Sequence, residues 1–119
     1  MDQAARPLRI AGQPYGRGMG VHAVSELAYD LEPIFARFVA AVGVDDECQQ
    51  PTASVVFEVY ADDRCLFRSG VKRRGEAPDL VNVELPRGAR HLRLVVTDAG
   101  DGNGWDHADW ADAGFRFAP

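Results

Sequence analysis

Cysteine is scarce in this chain. Its 119 residues include two, Cys48 and Cys65, which form no CxxC pair, so a zinc knuckle or a thioredoxin-type redox motif is excluded. One disulfide in an oxidising compartment and two free thiols both stay open, because spacing alone does not fix the sulfur separation. Long apolar runs are absent: no stretch approaches the roughly 20 residues needed to cross a bilayer. The N-terminal MDQAARPLRI also lacks a basic and then apolar leader pattern. The expectation is a soluble chain with no membrane partner, its compartment open and secretion as one module of a longer protein allowed. Positive charge is in deficit, with 13 Lys and Arg against 18 Asp and Glu and a net charge of −5. Such a field repels phosphate backbones, so nucleic acid is not expected as a partner. The one basic cluster, Lys72-Arg73-Arg74, lies between Gly70 and Gly75 and reads as a solvated loop. There is no internal repeat and no low-complexity tract.

What is present is a strand signal. The hydrophobic fraction of 46% supports one buried core, and the length suits one domain over residues 1–119, its core 8–117. Short runs of β-branched and aromatic residues recur between Gly, Pro, Asn and Asp about every ten residues, which predicts an all-β sandwich or barrel. In Ser54 to Tyr60 the side chains of Val55, Phe57 and Val59 share one face. Asp62-Asp63 turns the chain back through Arg64 to Ser69, a β-hairpin. Further strands are expected from Leu80 to Leu85 and from His91 to Thr97. Ile34 to Val44 suits a buried strand or, through its alanines, a helix; Gly43 and the pattern that follows favour the strand.

Two segments rich in glycine read as long loops. One is Gly12 to Gly20. The other, Asp98 to Asp112, gathers six Asp or His side chains and both tryptophans into fifteen positions, and function is expected there. Its D-x-x-D-G-N-G-x-D pattern is a poor match to an EF-hand, since the twelfth position is Asp109 instead of Glu and no helices flank it. A His22, His107 and carboxylate metal site has no spacing signature behind it.

Taken in order, the Gly18-Met-Gly-Val-His22-Ala23 turn, Ser25 to Leu31, FVAAVGVD over 38–45, the SVVFEVYADDRCLFRSG hairpin and DHADWADA resemble the NPCBM family of carbohydrate-binding modules. The resemblance covers about residues 8 to 117. It implies a jelly-roll β-sandwich, galactose-binding-domain-like, found beside glycoside hydrolase domains and recognising galactose-containing or related glycans. The family pattern begins with a further strand, whereas only six residues precede Pro7. That difference bears on glycan affinity and on a structural calcium site, the one cofactor expected, whose ligands stay unassigned.

The resemblance gives the second loop a role. Sugars present a hydroxylated rim and an apolar C–H face, which call for planar donors and acceptors and for an aromatic ring. The candidate carbohydrate-binding residues are His22, Trp105, Asp106, His107, Asp109 and Trp110; none is assigned as catalytic. Each has a structural alternative. Trp110 could plug the core, Asp106 and Asp109 could cap turn amides, and His22 could be a hydrogen-bonded structural histidine. Trp105, set among Gly102, Asn103 and Gly104, has no core periodicity, which favours stacking. Two rival functions fit the same residues: a sandwich serving structure or protein interaction without binding sugar, and a small hydrolase using Asp106, His107 and Asp109, disfavoured because its carboxylates crowd into one short segment.

Overall fold

A computed structural model describes residues 8–22, 24–46, 54–98 and 107–117. The described residues form eleven strands: β1 (Leu8–Ile10), β2 (Gln13–Tyr15), β3 (Gly18–His22), β4 (Ser25–Asp30), β5 (Phe35–Val44), β6 (Ser54–Ala61), β7 (Arg64–Arg68), β8 (Lys72–Arg73), β9 (Asp79–Glu84), β10 (His91–Thr97) and β11 (His107–Phe117). They make two antiparallel sheets that pack face to face. One has the order β4-β10-β6-β7, with β8 also paired to β6, and the other β3-β11-β5-β9. A third element, the β1–β2 hairpin, forms its own two-stranded sheet. Among the described residues no helix is long and apolar enough to cross a membrane.

The core is built by alternation. Val55, Phe57 and Val59 of β6 and Leu92, Leu94 and Val96 of β10 point inward from one sheet, and Phe38, Val42, Val44, Ala108 and Trp110 meet them from the other. Phe57 and Trp110 cross edge to face with ring centroids 5.1 Å apart, a favoured aromatic geometry. The β6–β7 hairpin closes through Asp62-Asp63, where Ala61 opposes Arg64. Asp62 takes a φ of 52°, and its carboxylate accepts hydrogen bonds from the Arg90 and His91 amides at 3.3 and 3.1 Å. That tie joins the turn to the start of β10.

β5 differs from the other strands. Phe38, Ala40, Val42 and Val44 face the main core, while Ala41 joins Ile10 and Ala111 in a second, smaller cluster on the outer face. The β1–β2 hairpin covers that face. Its two-residue turn, Ala11-Gly12, has φ values of 50° and 83°, the positive pair typical of tight hairpins. Ile10 is fully buried beneath it.

Three expectations are corrected here. Gly12 to Gly20 is not one long loop, since β2 lies within it and β3 runs from Gly18. The Asp98 to Asp112 segment is not a loop throughout, because from His107 onward it is β11, the longest strand. Lys72 and Arg73 form β8 in place of a solvated loop. The Lys72 side chain is 12% exposed and its ammonium lies 3.1 Å from Asp79, so that charge is anchored. Cys65 is free and exposed; Cys48 falls outside the described residues.

Candidate functional site

Strand register assembles the site. Along β11, Ala108 and Trp110 turn inward, so His107, Asp109 and Ala111 turn outward. Each has direct neighbours on both sides. Ala111 lies between Gly18 and Ala41, and Asp109 between Gly20 and Gly43. His107 lies opposite His22, and its carbonyl accepts the Asp45 amide at 3.1 Å. The outer face is therefore a floor of glycine and alanine that ends in two histidines and two aspartates. The hairpin rests on that floor. A Cβ on Gly43 would come within 2.7 Å of Ile10 Cγ2, so the hairpin sits this close because no side chain stands there.

The two histidines touch. Their Nε2 atoms are 3.2 Å apart and their rings meet edge to face with centroids 4.3 Å apart. One ring donates its N–H to the lone pair of the other, the direction following the tautomer. Direct cross-strand pairing in β3 and β11 brings them together from 85 residues apart. His22 is exposed and His107 half-buried, so the pair forms a polar surface at this end of the sheet.

Behind them lies an acidic cluster that is mostly hidden. Asp109 is 1% exposed and Asp45 6%. Burial, then a hydrogen bond to Asp45 and the charges of Asp45 and Asp46, push the Asp109 carboxyl up to about 9, against a lowering pull from the Arg9 amide. Asp109 is thus a neutral acid at physiological pH. Asp45 and Asp46 hold the hairpin. The Arg9 amide donates to Asp45 Oδ2 at 3.3 Å, the Asp46 amide donates to the Arg9 carbonyl at 2.7 Å, and the Ala11 and Gly12 amides donate to the Asp46 carboxylate at 3.1 and 2.8 Å.

The structure sorts the six candidate residues. It brings His22 and His107 together at the surface. It removes Trp110 from any ligand contact, because the indole is fully buried between the sheets and packs against Phe57; the plug reading replaces the stacking one. It also withdraws Asp109, whose carboxyl lies under the hairpin. Trp105 and Asp106 fall outside the described residues. Asp45 and Asp46 were missed as organising residues, and a signal for them existed: consecutive aspartates at the end of a strongly apolar strand invite a check for amide capping. For calcium, the described residues include no group of three or more His, Cys, Asp or Glu side chains placed to hold an ion. The Asp46 carboxylate is already filled by backbone amides.

Comparisons with known proteins agree with this architecture. The chain is 37% identical over 112 residues, 92% of its length, to the alpha-1,3-galactosidase B of Akkermansia muciniphila. It spans between 7% and 14% of the length of the curated relatives it matches. A solved structure of CBM51 from Clostridium perfringens GH95, in complex with methyl-galactose, superposes with a TM-score of 0.82 at 37% identity, covering 93% of this chain and 79% of that one. CBM51-2 of Clostridium perfringens ZmpB, solved with GlcNAc and the INT domains, gives a TM-score of 0.83 at 35% identity, covering 94% of this chain and 25% of that one. The sequence profile of the NPCBM/NEW2 domain matches residues 1–116. With the predicted motifs falling on a galactose-binding-like β-sandwich of CBM51 type, this chain belongs to the NPCBM/NEW2 domain family.

Proposed function

We propose that this domain is a non-catalytic carbohydrate-binding module that holds galactose-type glycans close to an attached glycoside hydrolase. The observation that carries the reading is the His22–His107 pair set at the surface; in the sequence, Trp105 and Asp106 immediately precede His107. Imidazole nitrogens and a carboxylate suit sugar hydroxyls, and an indole suits the C–H face. The similarity to a CBM51 module solved with methyl-galactose supports the same ligand class.

A hydrolytic role has little support in the described residues. Glycoside hydrolysis needs two carboxyl groups flanking the scissile bond, whereas Asp109 is buried and Asp45 and Asp46 are engaged with hairpin amides. Binding should be modest, because one small contact surface gains little beyond the cost of association, and multivalent glycans should bind more tightly.

The test is calorimetric titration of the folded domain with methyl-galactose, N-acetylgalactosamine and GlcNAc, with and without calcium. Saturable binding to a galactose-type sugar is expected, lost in His22→Ala, His107→Ala and Trp105→Ala while the thermal melting profile stays in place. Silence across a broad glycan panel from a folded protein would overturn this reading in favour of a structural or protein-interaction sandwich.

A further inference from the structure

The end of the sandwich opposite His22 and His107 holds a cavity of about 510 Å³, within the range of about 300–1,000 Å³ that small ligands occupy. β5 connects the two ends. Phe35 borders this cavity, whereas Val44 pairs with Ala108, next to His107, and ten strand residues at about 3.3 Å each put about 30 Å between them. Two tight turns wall the cavity, and backbone hydrogen bonds fix both. In one, the Phe35 amide donates to the Glu32 carbonyl at 3.0 Å, with Pro33 setting the bend. In the other, the Ala89 amide donates to the Pro86 carbonyl at 3.1 Å, and Gly88 takes a φ of 86°, which glycine adopts without strain. The Leu31 amide donates to the Arg90 carbonyl at 2.8 Å, which ties the exit of β4 to the second turn. A cavity held this way loses little freedom when it is filled.

The lining is mixed. Leu31, Leu85 and Phe35 supply apolar wall, and the Phe35 ring is held by stacking on Phe115 with centroids 4.3 Å apart. Arg87 and Arg90 supply positive charge and Glu32 one negative charge. On the sheet faces, Arg37, Arg68 and Arg93 are tied to Asn82, Glu58 and Glu26. Among the described residues the guanidiniums of Arg87 and Arg90 have no such partner, and Arg90 engages through its amide and carbonyl alone. Asp62, beside the second turn, already accepts the Arg90 and His91 amides. In a chain of net charge −5, two unpartnered guanidiniums at one cavity select an anion, and their planar fork matches a carboxylate.

We propose that this cavity is a second ligand site, one that takes a hydroxylated monocarboxylate of the sugar-acid type. Arg87 and Arg90 hold the carboxylate, Glu32 accepts hydroxyl hydrogens, and the wall of Leu31, Phe35 and Leu85 receives the C–H face of the ring. Each part of the lining restricts the ligand. An inorganic anion leaves the apolar wall unused, and every further negative charge adds repulsion from Glu32. A neutral sugar leaves both guanidiniums without a partner. The site differs from the His22–His107 pair in place and in ligand, and it stands whether or not that pair binds galactose.

The experiment titrates the folded domain with sodium galacturonate and follows backbone amide shifts by NMR, with methyl-galactose as the neutral counterpart and sodium sulfate as the inorganic one. Saturable shifts are expected at the Leu31, Phe35, Gly88 and Arg90 amides with galacturonate. Methyl-galactose should leave those amides in place, and sulfate should move them only at much higher concentration. Arg87→Gln and Arg90→Gln should each weaken galacturonate binding about tenfold while the rest of the spectrum is kept, since both side chains are exposed. Should a variant fail to fold, the wild-type shift map and the sulfate comparison decide alone. Amides unmoved by galacturonate, shifts confined to the surroundings of His22 and His107, equal affinity for sulfate, or an affinity untouched by both substitutions would each overturn the proposal.

Discussion

The two faces of the β3-β11-β5-β9 sheet are built on opposite principles. On the inner face the strands present volume: Trp110, Phe38, Val42 and Val44 fill the space between the sheets. On the outer face the same strands present almost none, with Gly18, Gly20, Gly43, Ala41 and Ala111 forming a floor on which the eight-residue hairpin Leu8 to Tyr15 lies. The inner face is held by packing alone. The outer face combines a small apolar contact, Ile10 on Ala41 and Ala111, with backbone amides captured by two aspartates and a buried acid. Exposed chemistry appears where the floor runs out beyond the hairpin, at His22 and His107. A sheet covered on both sides thus gains a rigid edge on which polar side chains can be placed.

Substitutions that break each face should differ in size. Trp110→Ala removes the largest buried side chain and should cost about 3–5 kcal/mol, visible in chemical denaturation as a large fall in midpoint. Gly43→Ala adds one methyl group where Ile10 already sits and should cost about 1–3 kcal/mol by overpacking, with faster exchange confined to the hairpin amides. Its cost should shrink in an Ile10→Ala background, since the two atoms that collide would no longer both be present. A double-mutant cycle reads that coupling directly. Leu80→Ser lies at the other extreme. The side chain is 78% exposed on β9, and its replacement should move stability by no more than about 0.5 kcal/mol.

The same contrast explains which parts of the fold are legible in the sequence. β10 alternates Leu92, Leu94 and Val96 with more exposed partners, and it reads as a strand at once. β5 reads ambiguously because both of its faces are buried, which erases the period-2 signal and leaves a continuous apolar run that a helix would also suit. β11 opens on His, Ala, Asp, Trp, Ala and Asp, residues with weak strand preference apart from Trp, and pairing with β3 and β5 overrides that preference. A period-2 signal was nevertheless present in Gly18 and Gly20, which alternate with Met19 and Val21, and in Ala108 and Trp110, which alternate with Asp109 and Ala111. Of the candidate residues, the sequence named His22 and His107 without their contact, and it left Trp110 open between a core plug and a stacking platform and Asp109 between a turn cap and a ligand contact. Both are polar or amphipathic groups whose surroundings come from strands far away in the chain.

By itself the sequence determined an all-β domain, its central hairpin and the family to which its ordered motifs belong, because alternation and turn chemistry are local and each strand carries its own record. Only the tertiary structure decided that Trp110 plugs the core, that two histidines 85 residues apart meet, and that Asp109 is buried as a neutral acid. Those outcomes depend on register and on which element covers which face. A shift of one residue would have turned Trp110 outward and His107 inward, and no local stretch of sequence specifies that choice.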